Sequence, residues 1–319
     1  MNEDYLWDRS GPPDPEIERL EHTLAPLRYK HRAGLVRERR TRQRAWWLAA
    51  AAAVVAAVAL SRSTPAPQAT AWQVESLDGS ATLGAEQAAA FMPLRAGEVL
   101  RTGGNSQLML RADQYGTMTV GPDSELRAAT NRQILFQRGQ LHAYIWAPPR
   151  QFVVETPSAR AVDLGCEYTI NVDRSGDGLI RVSMGWVAFQ FADRESFIPA
   201  GAECVTRKRG GPGVPFYEDA EESLRRSLAA WEKGDGGALA GILDAARPRD
   251  ALTLWHLLTR VGDGERGAVF DRFAQLVDLP RDVTREGVLR KEPHAIDVCW
   301  DALGLEDTSW WRGWERRWE

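Results

Sequence analysis

From Ala45 to Leu60 the chain reads AWWLAAAAAVVAAVAL, sixteen residues without a charge, closed by Arg44 on one side and by Ser61 and Arg62 on the other. A spanning helix takes about 20 apolar residues, with a lower limit near 17, so this run predicts a short span over residues 45–61. Arg44 and Arg62 would lengthen it by snorkelling, and Trp46 and Trp47 fall where an interfacial aromatic belt lies. Two other readings fit the same residues. A buried Ala-rich core helix would leave the charge ahead of the run unexplained. A signal peptide cleaved after Ala69-Thr70-Ala71 would carry 44 residues before its apolar region, far more than an ordinary leader has.

The flanks set the expected orientation. Arg28, Lys30, Arg32, Arg37, Arg39, Arg40, Arg42 and Arg44 precede the run against Glu38 alone, while Arg62 is the only charge between it and Glu75. The positive-inside rule then keeps residues 1–44 in the cytoplasm and exports the rest. The expected location is the inner membrane, with the bulk of the chain outside the cytoplasm and the basic run against anionic headgroups. Lys and Arg total 40 against 44 Asp and Glu, which excludes a chain-wide nucleic-acid footprint, and no direct nucleic-acid contact is expected. Three cysteines in 319 residues cannot form a disulfide scaffold, and 44% apolar residues exclude wholesale disorder.

The predicted cytoplasmic tail contains one helical signal. Asp14 suits an N-cap, Pro15 the first helical position and Glu16 the positive end of the dipole. Ile17, Leu20 and Leu24 then recur at spacings of three and four, and Pro26 stops the pattern. So small a segment cannot bury its own stripe, so the stripe either docks on a partner or frays in solvent. Leu6 and Trp7 are the tail's other apolar candidates for such a contact.

Residues 62–71 form a linker containing STPAPQAT. From Trp72 the pattern becomes short runs rich in β-branched and aromatic residues: SQLMLRA, YGTMTV, ILFQRG, LHAYIWA, QFVVET, EYTINV, LIRVSMG and WVAFQFA. Turn residues separate them at intervals of about ten, which predicts an antiparallel sandwich or roll over 72–212. From about Asp219 the period is helical, in AEESLRRSLAAWEKGD, GALAGILDAAR, RDALTLWHLLTRV, GERGAVFDRFAQLVDLP, DVTREGVLRKEP and HAIDVCWDALGL. These predict an α-helical domain over 213–319, so the expected fold class is α and β in separate domains after one transmembrane helix. Trp310, Trp311, Trp314 and Trp318 close the chain, with Trp311, Trp314 and Trp318 on one helical face. That face reads either as a last helix docked on the helical domain or as a membrane- or partner-binding helix.

The middle segment resembles the FecR domain, the exported β domain of membrane-anchored regulators. The resemblance covers about Trp72 to Arg209. It rests on LRAGEVLRTGGNSQLMLR, GTMTVGPDSEL, LFQRGQLHAYI, FVVETPSARAVDLGCEYTINV, IRVSMGWVAFQF and FIPAGAECV. It implies a transmembrane signal regulator whose cytoplasmic partner is an extracytoplasmic-function sigma factor, reached through the tail's apolar residues, and an exported protein or ligand outside. The rival is a tethered exported scaffold whose tail is an insertion signal only. Where the family has a threonine, this chain has Cys166. With Cys204 at the end of what resembles the same exported domain, a Cys166–Cys204 disulfide is expected, the alternative being two buried thiols.

Catalytic and metal motifs are weak throughout. Asp173, Ser175 and Asp177 with Gly178 partly match a calcium loop, but the twelfth place is Met184 instead of Glu, so a hairpin turn fits better. The five histidines are scattered, without metal-ligand spacing. P-loop, dinucleotide and nucleophile-elbow patterns are absent, so neither an enzyme nor a cofactor is expected.

Overall fold

The structure, a computed structural model, describes residues 15–25, 72–192 and 194–305. The chain divides into two compact units, Met1–Pro67 and Gln68–Glu319. In the first, α1 (Pro15–Leu24) forms where the Ile17, Leu20, Leu24 stripe predicts it, with Glu16 and Glu18 in its first turn. Leu6, Trp7, Arg39, Arg40, Arg42, Arg44, Trp46, Trp47 and the rest of the 45–61 run lie outside the described residues.

The second unit opens with β1 (Trp72–Asp78), β2 (Ala81–Leu83), β3 (Glu86–Gln87), β4 (Pro93–Leu94), β5 (Val99–Thr102), β6 (Gln107–Ala112), β7 (Gly116–Val120), β8 (Glu125–Thr130) and β9 (Gln133–Ile145). It continues with β10 (Val153–Glu155), β11 (Arg160–Asp163), β12 (Glu167–Val172), β13 (Gly178–Met184), β14 (Trp186–Phe191), β15 (Arg194–Pro199), β16 (Ala202–Arg207), β17 (Gly211–Pro212) and β18 (Phe216–Tyr217). One half of the sheet runs β4-β1-β6-β7-β9-β12-β13-β16, with β17 and β18 beyond. The other runs β3-β2-β5-β8-β9-β10-β11-β14-β15. Every pairing is antiparallel except β9 with β10.

The two halves share β9. Its first residues, Gln133 to Arg138, pair with β8, and Gly139 to Tyr144 pair with β12. Gly139 sits at the hand-over with φ +103, and a Cβ there would collide with Ser124. ILFQRG and LHAYIWA are therefore one continuous strand, because glycine lets the backbone change partners without a loop.

Strands β6 and β12 bury every second residue, as a half-solvated sheet requires. By contrast, β14 buries Trp186, Val187, Ala188 and Phe189 in succession. Both of its faces are covered, and the second cover is helical.

The helices are α2 (Glu222–Trp231), α3 (Ala238–Ala245), α4 (Ala251–Arg260), α5 (Asp263–Leu276), α6 (Arg285–Leu289) and α7 (Pro293–Asp301). The central one is α4, buried from Ala251 through Leu258, the all-round burial that marks an interior helix. Buried Arg266 ties its end to α6 by donating to the carbonyls of Leu258 (2.8 Å), Val261 (3.1 Å) and Leu289 (2.9 Å).

Two parts of the expected fold class are corrected. The helical segment is not a separate domain. Trp300 of α7 packs against Trp186 in a tilted pair and Phe197 edge to face, with ring centroids 5.7 and 5.5 Å apart. Thr253 of α4 donates to the Pro215 carbonyl (2.8 Å), and strand and helix residues share one apolar core. The second part is the expected transmembrane element: residues 45–61 lie outside the described residues, and among those described no helix is long and apolar enough to cross a membrane. The longest of them, α5, has 14 residues, about 21 Å at 1.5 Å per residue, against a hydrocarbon core of about 30 Å.

Candidate partner-binding surfaces

Beyond Gly139, the alternation of β9 turns Gln140, His142, Tyr144 and then Trp146 outward while Leu141, Ala143 and Ile145 enter the core. Tyr144 and Trp146 are 41% and 42% exposed, large for aromatic side chains on a rigid sheet. Their rings meet edge to face at 5.7 Å. Trp146 is held by its indole N–H on the Asp113 carbonyl (2.9 Å) and by the Arg111 guanidinium 5.9 Å above the ring.

Register extends this strip sideways. Tyr144 lies opposite Thr117 and Glu167, and Glu167 lies opposite Met184, itself 43% exposed. His142 lies opposite Thr119 and Thr169, and its Nδ1 is 3.0 Å from the Thr169 hydroxyl. Its Nε2 is 3.2 Å from the Glu167 carboxylate. Beside them a cavity of about 410 Å³ is lined by Gln107, Thr119, Gln140, His142 and Thr169.

Thr169, His142 and Glu167 have the connectivity of a hydroxyl–imidazole–carboxylate relay. They are, however, adjacent rungs of a flat ladder whose strands commit their backbone N–H groups to sheet pairing, so no pair of donors is aimed at a developing oxyanion. Chemically the surface is an aromatic platform beside hydrogen-bonding groups, suited to holding a partner. Sequence reading found LHAYIWA as a strand. It missed the surface, since Glu167, Thr169 and Met184 reach it only through register.

On α1, Leu20 and Leu24 are 59% and 54% exposed, one turn apart. Ile17 lies in the same helix.

Cys166 and Cys204 do not meet, which corrects the expected disulfide. All three cysteines are buried free thiols. Cys204 lies opposite Ile180, and Ile180 lies opposite Ile170, four positions along β12 from Cys166. Two strand spacings and four residues separate the Cα atoms by roughly 16 Å, far beyond the ~7 Å a disulfide can bridge. Each sulfur has another partner: Cys166 donates to Asp163 Oδ2 (2.7 Å), and Cys204 to the Gly213 carbonyl (3.3 Å). Burial pushes the Cys204 and Cys299 thiols up to about 12, and Cys166 well above its ordinary value. The native protein is therefore expected to resist alkylation at mildly alkaline pH and to take up three equivalents once denatured. Intact mass measured with and without reductant should not differ.

The Asp173–Asp177 stretch is the turn of the β12–β13 hairpin. Asp173 Oδ1 accepts from the backbone N–H groups of Ser175, Gly176 and Asp177 at 2.8, 3.0 and 3.1 Å. Those bonds, with the Ser175 hydroxyl first, hold its carboxyl below the usual range.

No family model matches the chain, and no curated protein does. Two crystal structures of a candidate anti-sigma factor from Parabacteroides distasonis are similar to it, each 14% identical with a TM-score of 0.33. The likeness covers 43% of this chain and 65% or 64% of theirs, less than two thirds of their length. It is a weak structural similarity. The FecR resemblance thus stands on its motif blocks alone.

Proposed function

We propose that the chain is a non-catalytic regulator that binds a sigma factor through α1 and holds a second, exported protein or ligand on the outer face of β9 and β12. The exposed pair Leu20 and Leu24 carries this reading. Two leucines one turn apart on an amphipathic helix are the anchors of helix-in-groove recognition. Burying each against a partner would contribute roughly 1.5–3 kcal/mol. The second surface is supported by Tyr144 and Trp146, aromatic anchors of the kind that dominate binding energy.

Localisation belongs to the same proposal. The basic flank that includes Arg39, Arg40, Arg42 and Arg44 supports placement at the inner membrane with residues 1–44 on the cytoplasmic side. Reporter fusions before and after residues 45–61 test it. An exported activity from the first fusion would sink it.

The function is tested with the full chain as bait, as wild type and as Leu20→Asp/Leu24→Asp. Capture of a sigma factor by the wild type, weakened at least about tenfold by the double substitution, is the expected result. Capture that survives the substitution, or no sigma factor in either eluate, would leave the tethered exported scaffold as the better account. Tyr144→Ala/Trp146→Ala should leave that capture unchanged, because it alters the other surface.

A further inference from the structure

At the end of β16 the chain reads RKRGGPG, residues 207–213, three cations followed by glycines around a proline. Space dictates two of those glycines. A Cβ on Gly211, whose φ is +70, would come within 2.7 Å of the Phe191 side chain, and one on Gly213 would collide with Glu232. The backbone there carries almost no side chain, and a cavity of about 220 Å³ opens between it and the end of α2. Trp231 forms an aromatic wall, while Arg194 from β15, Arg207 from β16 and Arg260 from α4 converge on the same space.

The charges around this cavity do not balance. Glu232 is the one carboxylate of its described lining, and it is committed to the Val214 N–H (2.7 Å). Arg260 is held by the Glu195 and Pro212 carbonyls and the Ser196 hydroxyl. Arg194 donates through Nη1 alone, to the Gly210 carbonyl (2.9 Å). Arg207 meets Asp177 through Nη1 at 3.5 Å, an ion pair without a hydrogen bond. Both guanidiniums therefore keep N–H donors for another acceptor. Lys208 and Arg209 follow in the adjoining turn, so five cations stand against Asp177 and Glu232. Burial pulls Arg260 down to about 10, and the charge of Arg194 pushes it the same way.

The missing counter-charge has a definable chemistry. The cavity is smaller than the ~300 Å³ at which pockets for drug-sized ligands begin, so it fits a small anionic group. Guanidinium forks match both carboxylate and phosphate. A surplus of more than one positive charge favours the phosphate monoester, which carries about −1.5 to −2 near neutral pH. We propose that this cavity binds the phosphoryl group of a small phosphate monoester. Arg194 and Arg207 donate to its oxygens, Arg260 is the fixed cation behind them, and Trp231 packs against the organic part. The site shares no residue with α1 or with the outer face of β9, so it stands apart from both partner-binding surfaces.

The test is calorimetric titration of the full chain at low, fixed ionic strength and about pH 8, where the monoester is dianionic. The probes are phenyl phosphate, inorganic phosphate, acetate and vesicles containing phosphatidic acid. One phenyl phosphate should bind per chain, more tightly than inorganic phosphate because of Trp231, and acetate at least about tenfold more weakly than either. Arg194→Gln and Arg207→Gln should each weaken phenyl phosphate by about tenfold or more. Glu232→Gln keeps an acceptor for the Val214 N–H and removes the opposing charge, so it should tighten binding several-fold, a gain that misfolding cannot produce. Acetate bound as well as phosphate, affinity unchanged in both arginine variants, or no gain in Glu232→Gln would overturn the proposal. Inorganic phosphate bound more tightly than phenyl phosphate would overturn the monoester and its Trp231 contact. Binding of the vesicles without phenyl phosphate would assign the charge to a lipid surface and overturn the cavity as the site.

Discussion

Arg260→Met should lower the stability of the 68–319 unit by roughly 2–4 kcal/mol, since it removes several charge-assisted hydrogen bonds and strands their acceptors. From the end of α4, the guanidinium donates to the Glu195 carbonyl (2.8 Å), the Ser196 hydroxyl (2.7 Å) and the Pro212 carbonyl (3.3 Å). Ser196 in turn donates to the Gly213 carbonyl (2.7 Å), and Glu232 of the α2 end accepts from the Val214 N–H (2.7 Å). Burial pulls Arg260 down to about 10 and pushes Glu232 up, so neither charge is well solvated. Removing the cation leaves Glu232 with only Arg207 and Arg194 to compensate it, and β15 tied to α4 through the Phe197 N–H on His256 alone. Arg260→Lys should recover only part of the loss, because one ammonium cannot reach the three acceptors that a planar fork spans. Urea unfolding followed by far-UV circular dichroism and by tryptophan fluorescence is the measurement. The two signals should remain coincident and shift together, because helices and strands share one core. If they separate into two transitions and only the helical one moves, the one-unit architecture is wrong.

That architecture was only partly legible beforehand. Strands such as β6 and β12 announce themselves because one face meets water and the other the core, so polarity alternates. The helices are legible for the same reason at their own period. What periodicity does not transmit is which surfaces meet. The clue to the joint lay in WVAFQFA, where successive apolar residues mean cover on both faces. Read as one more strand, it gave no hint that α4 and α7 supply the second cover. Gly139 reads as a turn residue and hides the continuity of β9. The cysteines failed on register: both lie where a strand begins or runs, but two intervening ladder steps decide that they cannot meet. Register likewise assembles the outer surface, since His142 finds Glu167 and Thr169 only once β9 and β12 are aligned. Leu20 and Leu24 were readable as a stripe because a helix sets their spacing locally.

Asp163→Asn should make the protein more stable near neutral pH, by as much as roughly 4 kcal/mol, and should leave it little changed in strong acid. The Asp163 side chain is buried. It accepts from the Gly165 N–H (2.8 Å) and the Cys166 thiol (2.7 Å), with no ion pair to a cation among the described residues. Burial raises its carboxyl to about 7 against that pair of bonds. Tyr168 buries its hydroxyl close by without a hydrogen-bond partner among the described residues. A carboxyl raised on folding stabilises most below its unfolded value, near 3.9, and that contribution is lost as pH rises through about 7. His256 does the reverse. Its Nε2 accepts from the Phe197 N–H (3.1 Å) and its Nδ1 is 2.9 Å from the Leu252 carbonyl, a pair of bonds that only the neutral ring can make. Burial, helped by the charge of Arg260, lowers it to about 3. Its contribution is complete above its unfolded value, near 6.5, and is lost as pH falls toward 3. Between about pH 4 and 6.5 folding therefore takes up a proton at Asp163 and releases one at His256, and the two slopes oppose each other. Removing Asp163 should unmask the histidine: the Asn variant should gain stability steadily with pH across that interval, whereas the wild type changes little through this pair. Chemical denaturation at a series of pH values reads the difference directly. A constant gap between the two proteins from pH 4 to 8 would show that Asp163 enters the fold ionised.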